Sequence, residues 1–147
     1  DNELGKNIRK IGGEYGATTG RPRRTGWLDL VSLKHATMIN GINNLVITKL
    51  DVLSGISPLK IAVAYETEDG KQIDYFTSST TKLYDYKPIY HELPGWDEDI
   101  SDARSYDDLP ENAKTYIEFI ENYLGINVYL VSVGPERSQN IIRKELF

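Results

Sequence analysis

A helix that leads directly into a buried strand, late in the chain, restricts the fold more than any other feature. Apolar side chains recur there at helical spacing, at Ala113, Tyr116, Ile117, Ile120 and Leu124. Pro110 and Glu111 suit the start of such a helix, and Gly125 suits its end. The segment "NVYLVSV" follows at once and predicts a buried strand. This order is typical of proteins that pack helices against a sheet.

Two further helices are predicted earlier in the chain. Residues 4–12 form the first, which ends at the glycine-rich "GGEYG". Residues 27–40 form the second, with Asp29 in its first turn and Gly41 at its end. One apolar face of this second helix is expected to comprise Trp27, Leu30, Val31 and Met38.

The remaining apolar segments predict strands. "LVITKL" (residues 45–50) is nearly continuous and β-branched, which predicts a buried strand. "LKIAVAYE" and "KQIDYFTS" flank "TEDG" and predict a β-hairpin. "PIYHEL" is a further strand, which Pro88 and Pro94 move toward a sheet edge because proline cannot donate a backbone hydrogen bond. The tail "SQNIIRKELF", after a "GPER" turn, is compatible with a helix.

These elements predict a single α/β or α+β domain over residues 1–147 with a mixed sheet. A net charge of -5 argues against a general nucleic-acid-binding surface. The absence of cysteine excludes disulfides, zinc fingers and thiol chemistry, and it fits a reducing compartment. No apolar run approaches the length of a membrane span.

A concentrated basic loop stands out in this acidic chain. "GATTGRPRRTGWLD" places Arg21, Arg23 and Arg24 within four residues, behind Thr18 and Thr19. Arginine binds carboxylate and phosphate oxygens in two-point contacts, and glycine lets backbone N–H groups approach an anion. The loop therefore suits a ligand that carries both groups. A solvated basic turn, or arginines paired with carboxylates of the same domain, explains the pattern equally well.

Two strand ends carry polar groups that could share a ligand. "TKLD" (residues 48–51) follows one predicted strand, and "SVGPER" (residues 132–137) follows another. Open α/β sheets bind ligands at the carboxyl ends of their strands. The Asp51 carboxylate could accept hydrogen bonds from the N1–H and amine of guanine, and the Lys49 stem could cover the base. A charged strand end and an ordinary turn remain the alternatives.

Other classes of site find less support. The acidic segment "WDEDISDARSYDD" lacks the glycine and the closing glutamate of an EF-hand. His35 and His91 are far apart, and the sequence has no GxSxG, HExxH or Walker-type GK[ST] motif. No catalytic residue and no metal ligand is therefore assigned.

Taken together, "GATTGRPRRTGWLD", "NGINNLVITKLDVLSG", "PIYHELPGW" and "SVGPERSQNII" resemble the adenylosuccinate synthetase family in order and spacing. The resemblance covers the chain from about residue 4 to its end, and "ATTGRPR" followed by "TKLDVL" is its most specific part. It implies an α/β fold with a mixed, largely parallel sheet, a β-hairpin and flanking helices, within a larger P-loop-NTPase-like synthetase fold. It also implies a cytoplasmic, homodimeric ligase of purine biosynthesis that joins IMP and L-aspartate using GTP and magnesium.

The resemblance further implies roles for individual residues. The loop that closes over aspartate corresponds to Ala17, Thr18, Thr19, Gly20, Arg21, Pro22 and Arg23. Within it, Arg21 would also contact the ribose of IMP, and Arg23 the phosphates of GTP. Guanine recognition would fall to two groups of residues, namely Lys49, Leu50 and Asp51, and Ser132, Val133 and Gly134.

The family's catalytic motifs are implied to lie elsewhere, in an amino-terminal part that carries the phosphate loop, the catalytic Asp and a His. None of these motifs occurs in this chain. We therefore expect a carboxy-terminal portion of the enzyme that is inactive alone, whose strands belong to a larger sheet and expose an apolar edge. The alternative is a free-standing guanine-nucleotide-binding module without catalysis.

Overall fold

Two mixed sheets organise residues 2–77 and 79–143, which the computed structural model describes. Four helices accompany them in this part of the chain: α1 (Glu3–Ile11), α2 (Leu30–Asn40), α3 (Thr80–Asp85) and α4 (Glu111–Leu124). The strands are β1 (Leu28–Asp29), β2 (Asn44–Ile47), β3 (Leu59–Glu66), β4 (Gln72–Ile73), β5 (Lys87–Leu93), β6 (Asn127–Ser132) and β7 (Asn140–Ile142). The predicted mixed α/β class is therefore confirmed.

Parallel and antiparallel pairing occur in both sheets. In the first sheet β3 pairs with β1 in parallel and with β4 and β5 in antiparallel orientation. In the second sheet β2 runs parallel to β6, and β7 is antiparallel to β6. Among the described strands antiparallel ladders thus outnumber parallel ones, and the strands divide between two sheets instead of forming one.

Helix α4 joins the two sheets through its apolar stripe. Ala113 and Ile117 are completely buried, and Ile120 is 2% exposed. The helix contacts β5 of the first sheet and β6 of the second, and the Tyr123 hydroxyl donates a hydrogen bond of 2.9 Å to the Val63 carbonyl of β3. The predicted stripe is confirmed, as is Gly125, which ends the helix in a left-handed conformation.

Helix α2 starts three residues later than predicted. Leu28 and Asp29 pair with Ile61 and Ala62 of β3, so they belong to a short strand. Asp29 instead caps the helix by accepting a hydrogen bond of 3.0 Å from the Ser32 backbone N–H. The predicted apolar face is wrong at Met38, which is 72% exposed.

The predicted strand at residues 45–50 is too long and is not buried. Strand β2 ends at Ile47, and a 3-10 turn begins at Leu50. Among the described strands β2 pairs only with β6, and Val46 is 55% exposed. The apolar, β-branched run predicted a strand correctly. Whether a strand is buried, however, depends on neighbouring elements outside the segment. The expected exposed apolar edge is present here.

Three further predictions have different outcomes. The hairpin is confirmed by the pairing of β3 with β4, although β4 has only two residues and residue 78 lies outside the described part. The edge position of β5 is confirmed, because β3 is its single partner among the described strands. The helical tail is wrong, since β7 occupies Asn140–Ile142; residues 144–147 lie outside the described part.

A half-buried ion pair fastens α4 to the second sheet. The Arg143 guanidinium donates to both carboxylate oxygens of Glu121, at 2.8 and 3.1 Å. Glu121 also accepts the Val128 backbone N–H at 2.6 Å, and Arg143 lies over the Tyr106 ring at 4.1 Å. The carboxylate therefore has several charge-assisted partners that only the folded chain provides.

Replacing Glu121 by Gln should lower the free energy of unfolding by about 2–3 kcal/mol, because the half-buried Arg143 loses its counter-charge. Urea denaturation followed by circular dichroism measures the change. Glu92→Gln is a matched control, since Glu92 pairs with Lys60 on the surface; it should change stability by less than about 1 kcal/mol. Equal losses in both variants would refute a special role for the Glu121 pair.

Candidate functional site

The ends of two parallel strands meet in one cavity. Ile47 of β2 is in register with Val131 of β6, so the segments that leave these strands are neighbours. A cavity of about 440 Å³ opens between them, and Lys49, Asp51, Ser132 and Gly134 line it together. The structure thus brings together side chains or backbone from both predicted strand-end groups.

Two of the predicted residues do not line this cavity. Leu50 is 1% exposed and Val133 is completely buried, and both belong to the hydrophobic core. Their side chains hold the two strand ends against the core. Any contribution that they make to a ligand must come from backbone atoms.

Asp51 contains an unsatisfied polar atom. Its Oδ1 is buried and has no hydrogen-bond partner among the described residues. Leaving a buried acceptor unpaired costs about 1–3 kcal/mol, so such atoms are rare in folded proteins. Because Asp51 lines the cavity, a ligand that donates a hydrogen bond would remove this cost.

Lys49 adopts a backbone conformation that is uncommon for its residue type. Its φ of 61° lies in the left-handed region, the single case among the described non-glycine residues. Its ammonium group donates to the Gly12 carbonyl at 2.7 Å and pairs with the Glu14 carboxylate. The end of β2 is therefore tied to the segment that follows α1.

The side chain of Gln139 packs closely against the backbone of Gly134. A methyl group at its Cα would lie 2.3 Å from Oε1 of Gln139. The Gln139 amide is held in place, because it accepts the Glu136 N–H at 2.9 Å and donates to the Ser101 carbonyl at 3.0 Å. The Ser132 hydroxyl donates to the Gly134 carbonyl at 2.9 Å, which completes this wall of the cavity.

The arginine loop is a small hairpin on the surface. Tyr15 and Pro22 form an antiparallel bridge, and the Gly16 N–H donates to the Arg21 carbonyl at 2.8 Å. Gly20 has a φ of 65°, which suits glycine at this turn. All eight residues of the loop are exposed, namely Ala17, Thr18, Thr19, Gly20, Arg21, Pro22, Arg23 and Arg24. Their side chains are thus available to a ligand, apart from the contacts described next.

Arg23 is paired with a carboxylate of the same domain. Its Nη1 donates to Oε2 of Glu14 at 3.0 Å, and its backbone N–H donates to the Glu14 carbonyl at 3.0 Å. Lys49 pairs with the other carboxylate oxygen, Oε1. The Lys49 and Arg23 cations together hold the pKa of the Glu14 carboxyl below its ordinary value.

Glu14 was missed by sequence reasoning. Its partners Arg23 and Lys49 are nine and 35 residues away, so no local spacing pattern identifies it. The signal available was a single carboxylate next to glycines, immediately before a basic loop.

A second cavity of about 350 Å³ shares Lys49 with the first but is mainly apolar. Its lining includes Leu45, Leu53, Tyr116 and Ile120. Glu14, Thr48 and Lys49 also line it, but Glu14 and Lys49 pair with each other. The first cavity, which the unpartnered Asp51 lines, is therefore the better candidate for a polar ligand.

Metal-ligand clusters and membrane-spanning helices are both absent from the described residues. They contain no cluster of three or more His, Cys, Asp or Glu side chains placed to bind a metal ion. No helix in this part of the chain has the length and apolar character needed to cross a membrane.

The fold and the cavity define a mixed α/β protein with a candidate ligand site at the carboxyl ends of two parallel strands, the usual position in such sheets. The chain belongs to the adenylosuccinate synthetase family, whose model matches residues 1–141. An adenylosuccinate synthetase of Alkaliphilus metalliredigens is 52% identical over 147 residues, which are 100% of this chain and 34% of that protein. One from Fusobacterium nucleatum is 55% identical over 144 residues, 98% and 34% of the respective chains.

A solved structure supports the same relationship at the level of fold. The fully ligated adenylosuccinate synthetase from Plasmodium falciparum superposes with a TM-score of 0.93 at 40% identity. The match covers 98% of this chain and 35% of that chain. The chain therefore spans about a third of the length of these relatives.

Replacing Gly134 by Ala should destabilise the chain by about 1–3 kcal/mol, because the new methyl group collides with the Gln139 amide. Thermal or urea denaturation measures the loss. Adding Gln139→Ala should relieve the collision, so the double variant should be more stable than the sum of the single effects predicts. Additive effects would contradict the close approach.

Proposed function

We propose that this chain is the carboxy-terminal portion, a single domain over residues 1–147, of the GTP-dependent ligase that joins IMP and L-aspartate to give adenylosuccinate in AMP biosynthesis. Two findings support this: the chain belongs to the family, and it matches about a third of the length of a related synthetase. The observation that carries the assignment of the site is Asp51, which lines a cavity between two strand ends and has a buried, unpartnered Oδ1.

The cavity would bind the guanine base of GTP. A carboxylate such as that of Asp51 accepts hydrogen bonds, and guanine offers two adjacent donors, its N1–H and its exocyclic amine. The Lys49 stem would cover one face of the base, while Ser132 and Gly134 would form the opposite wall. Leu50 and Val133, whose side chains are buried, would act through their backbone and by holding this geometry.

The arginine loop would bind the anionic groups of the substrates. Thr19 and the loop amides, from Ala17 to Arg23, would contact the carboxylates of aspartate. Arg21 would also reach the ribose of IMP, and Arg23 the phosphates of GTP. Arg21 and Arg23 are both exposed residues, which supports this role, because arginine pairs with carboxylate and phosphate in two-point contacts.

The chemistry would depend on the rest of the enzyme. Phosphoryl transfer needs positioning and charge neutralisation, and the described residues contain no cluster suited to a metal ion. We propose that the phosphate loop, the magnesium ligands and the catalytic Asp and His lie outside this chain. The complete enzyme would be a cytoplasmic homodimer.

A free-standing guanine-nucleotide-binding module is the second candidate, and the same Asp51 cavity favours it. The purified 147-residue chain distinguishes the two. As a portion of the ligase it should show no turnover of IMP, aspartate and GTP, and weak or no binding of GDP by titration calorimetry. GDP binding that Asp51→Asn abolishes would favour the module, and sustained formation of adenylosuccinate would contradict the first proposal.

Two substitutions test the assignments in a full-length synthetase whose matching third is replaced by this chain. Asp51→Asn should raise the KM for GTP about tenfold or more, because the amide presents N–H groups to the donors of guanine. It should leave the KM for IMP within about twofold of the parent. Arg21→Leu should raise the KM for aspartate about tenfold, through loss of a charge-assisted contact.

Each variant serves as the control for the other. Steady-state kinetics with one substrate varied at a time measures all three KM values. Equal losses of GTP and IMP affinity in Asp51→Asn would count against the guanine assignment. An unchanged aspartate requirement in Arg21→Leu would remove the loop from the site.

A further inference from the structure

One carboxylate connects the two candidate ligand elements. Glu14 pairs with Arg23 of the arginine loop through Oε2, at 3.0 Å, and with Lys49 at the end of β2 through Oε1. Its side chain is 24% exposed, against 57% for Arg23 and 50% for Lys49. The carboxylate is thus the least exposed member of the three and lies between the two cations.

The backbone of Glu14 is held on both sides, which fixes where the carboxylate can point. Its N–H donates to the Arg9 carbonyl at the end of α1, at 2.9 Å. Its carbonyl accepts the Arg23 N–H at 3.0 Å, and the Arg9 side chain donates to the Arg23 carbonyl at 2.6 Å. The first strand of the loop hairpin is therefore anchored to α1, and this anchoring fixes the position of Glu14.

Lys49 is held in its left-handed conformation, with a φ of 61°, while its ammonium group bonds to the Gly12 carbonyl and to Glu14. These contacts hold the ammonium end of Lys49, a residue that lines the candidate cavity. A lysine without such partners samples many rotamers, and ordering it on ligand binding costs side-chain entropy.

We propose that Glu14 is a positioning residue that sets Arg23 and Lys49 relative to each other, so that the aspartate loop and the guanine pocket are aligned. This inference rests on the proposed function. It adds a residue that belongs to neither binding element and acts through both.

The charges fit this role. Two cations share one carboxylate, so the group of three keeps one net positive charge and still attracts an anion. When a ligand carboxylate or phosphate takes Arg23, Glu14 retains Lys49 and is not left unpaired. Lys49 in turn keeps the Gly12 carbonyl, so its stem stays in place while the loop engages its ligand.

The test uses the full-length synthetase that carries this chain, with each substrate varied in turn. Glu14→Gln keeps the shape of the side chain but removes its charge. It should raise the KM for aspartate and the KM for GTP by up to about fivefold each, the upper end of what exposed ion pairs contribute. Glu68→Gln is the matched control, because Glu68 is an exposed glutamate in the turn between β3 and β4; it should leave both values unchanged.

Double substitutions separate positioning from general loss of structure. Because Glu14 would act on GTP through Lys49 and through Arg23, Glu14→Gln should raise the KM for GTP by a smaller factor in the Lys49→Met background than in the parent enzyme. It should still raise the KM for aspartate in that background, because Arg23 carries this second effect. Glu14→Asp, which keeps the charge, provides a second variant if Glu14→Gln does not fold. It supports the proposal if the KM for GTP rises less than in Lys49→Met and the KM for aspartate rises less than in Arg23→Ala. If neither KM rises, or only one does, the proposal is overturned.

The outcomes distinguish this inference from the proposed function. If Asp51→Asn and Arg21→Leu shift their KM values but Glu14→Gln shifts neither or only one, the positioning role is wrong and the proposed function stands. If Asp51→Asn and Arg21→Leu leave their KM values unchanged, the proposed function fails and the positioning role fails with it. A fully additive effect of Glu14→Gln and Lys49→Met on the KM for GTP also overturns the positioning role.

Discussion

The parallel pairing of β2 with β6 is the constraint on which the candidate site depends. These strands are about 80 residues apart in the chain, yet their register places Ile47 beside Val131. The segments that follow therefore leave the sheet together and enclose a cavity that neither could form alone. Helix α4 stabilises this arrangement, because its stripe packs against the sheet and Glu121 fastens it to Val128 and Arg143.

Among the described residues, the buried side-chain N and O atoms have hydrogen-bond partners except for Oδ1 of Asp51 at the candidate site. Asp29 caps α2 and also accepts a hydrogen bond from the Tyr65 hydroxyl. Burial, together with this carboxylate, raises the pKa of Tyr65, so the hydroxyl stays a donor. Asp51 differs, since its buried Oδ1 has no partner among the described residues. The contrast separates a carboxylate that stabilises the fold from one suited to a ligand.

Features that depend on residues close together in the chain were predicted from the sequence, and features that depend on distant residues mostly were not. Helix α4 was predicted closely, because its stripe and Gly125 act within a few turns. The start of α2 was misplaced, because Leu28 and Asp29 pair with β3, more than 30 residues away. Met38 and Val46 were expected inside, but apolar character indicates burial only when another element covers the residue. The grouping of Lys49, Asp51, Ser132 and Gly134 was anticipated from strand ends and from the family resemblance, whereas Glu14 was not.

The sequence by itself determined the local elements and the chemistry available to them. Helical spacing, glycine ends and the β-hairpin turn follow from interactions between near neighbours, and the arginine and aspartate side chains bring their hydrogen-bonding capacity with them. The tertiary structure decided which charges meet. The sequence alone was compatible with an Arg23 that faces solvent, a ligand or any carboxylate. In the folded chain Arg23 pairs with Glu14, and Glu14 also pairs with Lys49. Such pairing depends on the packing of α1, the loop and β2 against one another, and no local pattern encodes it.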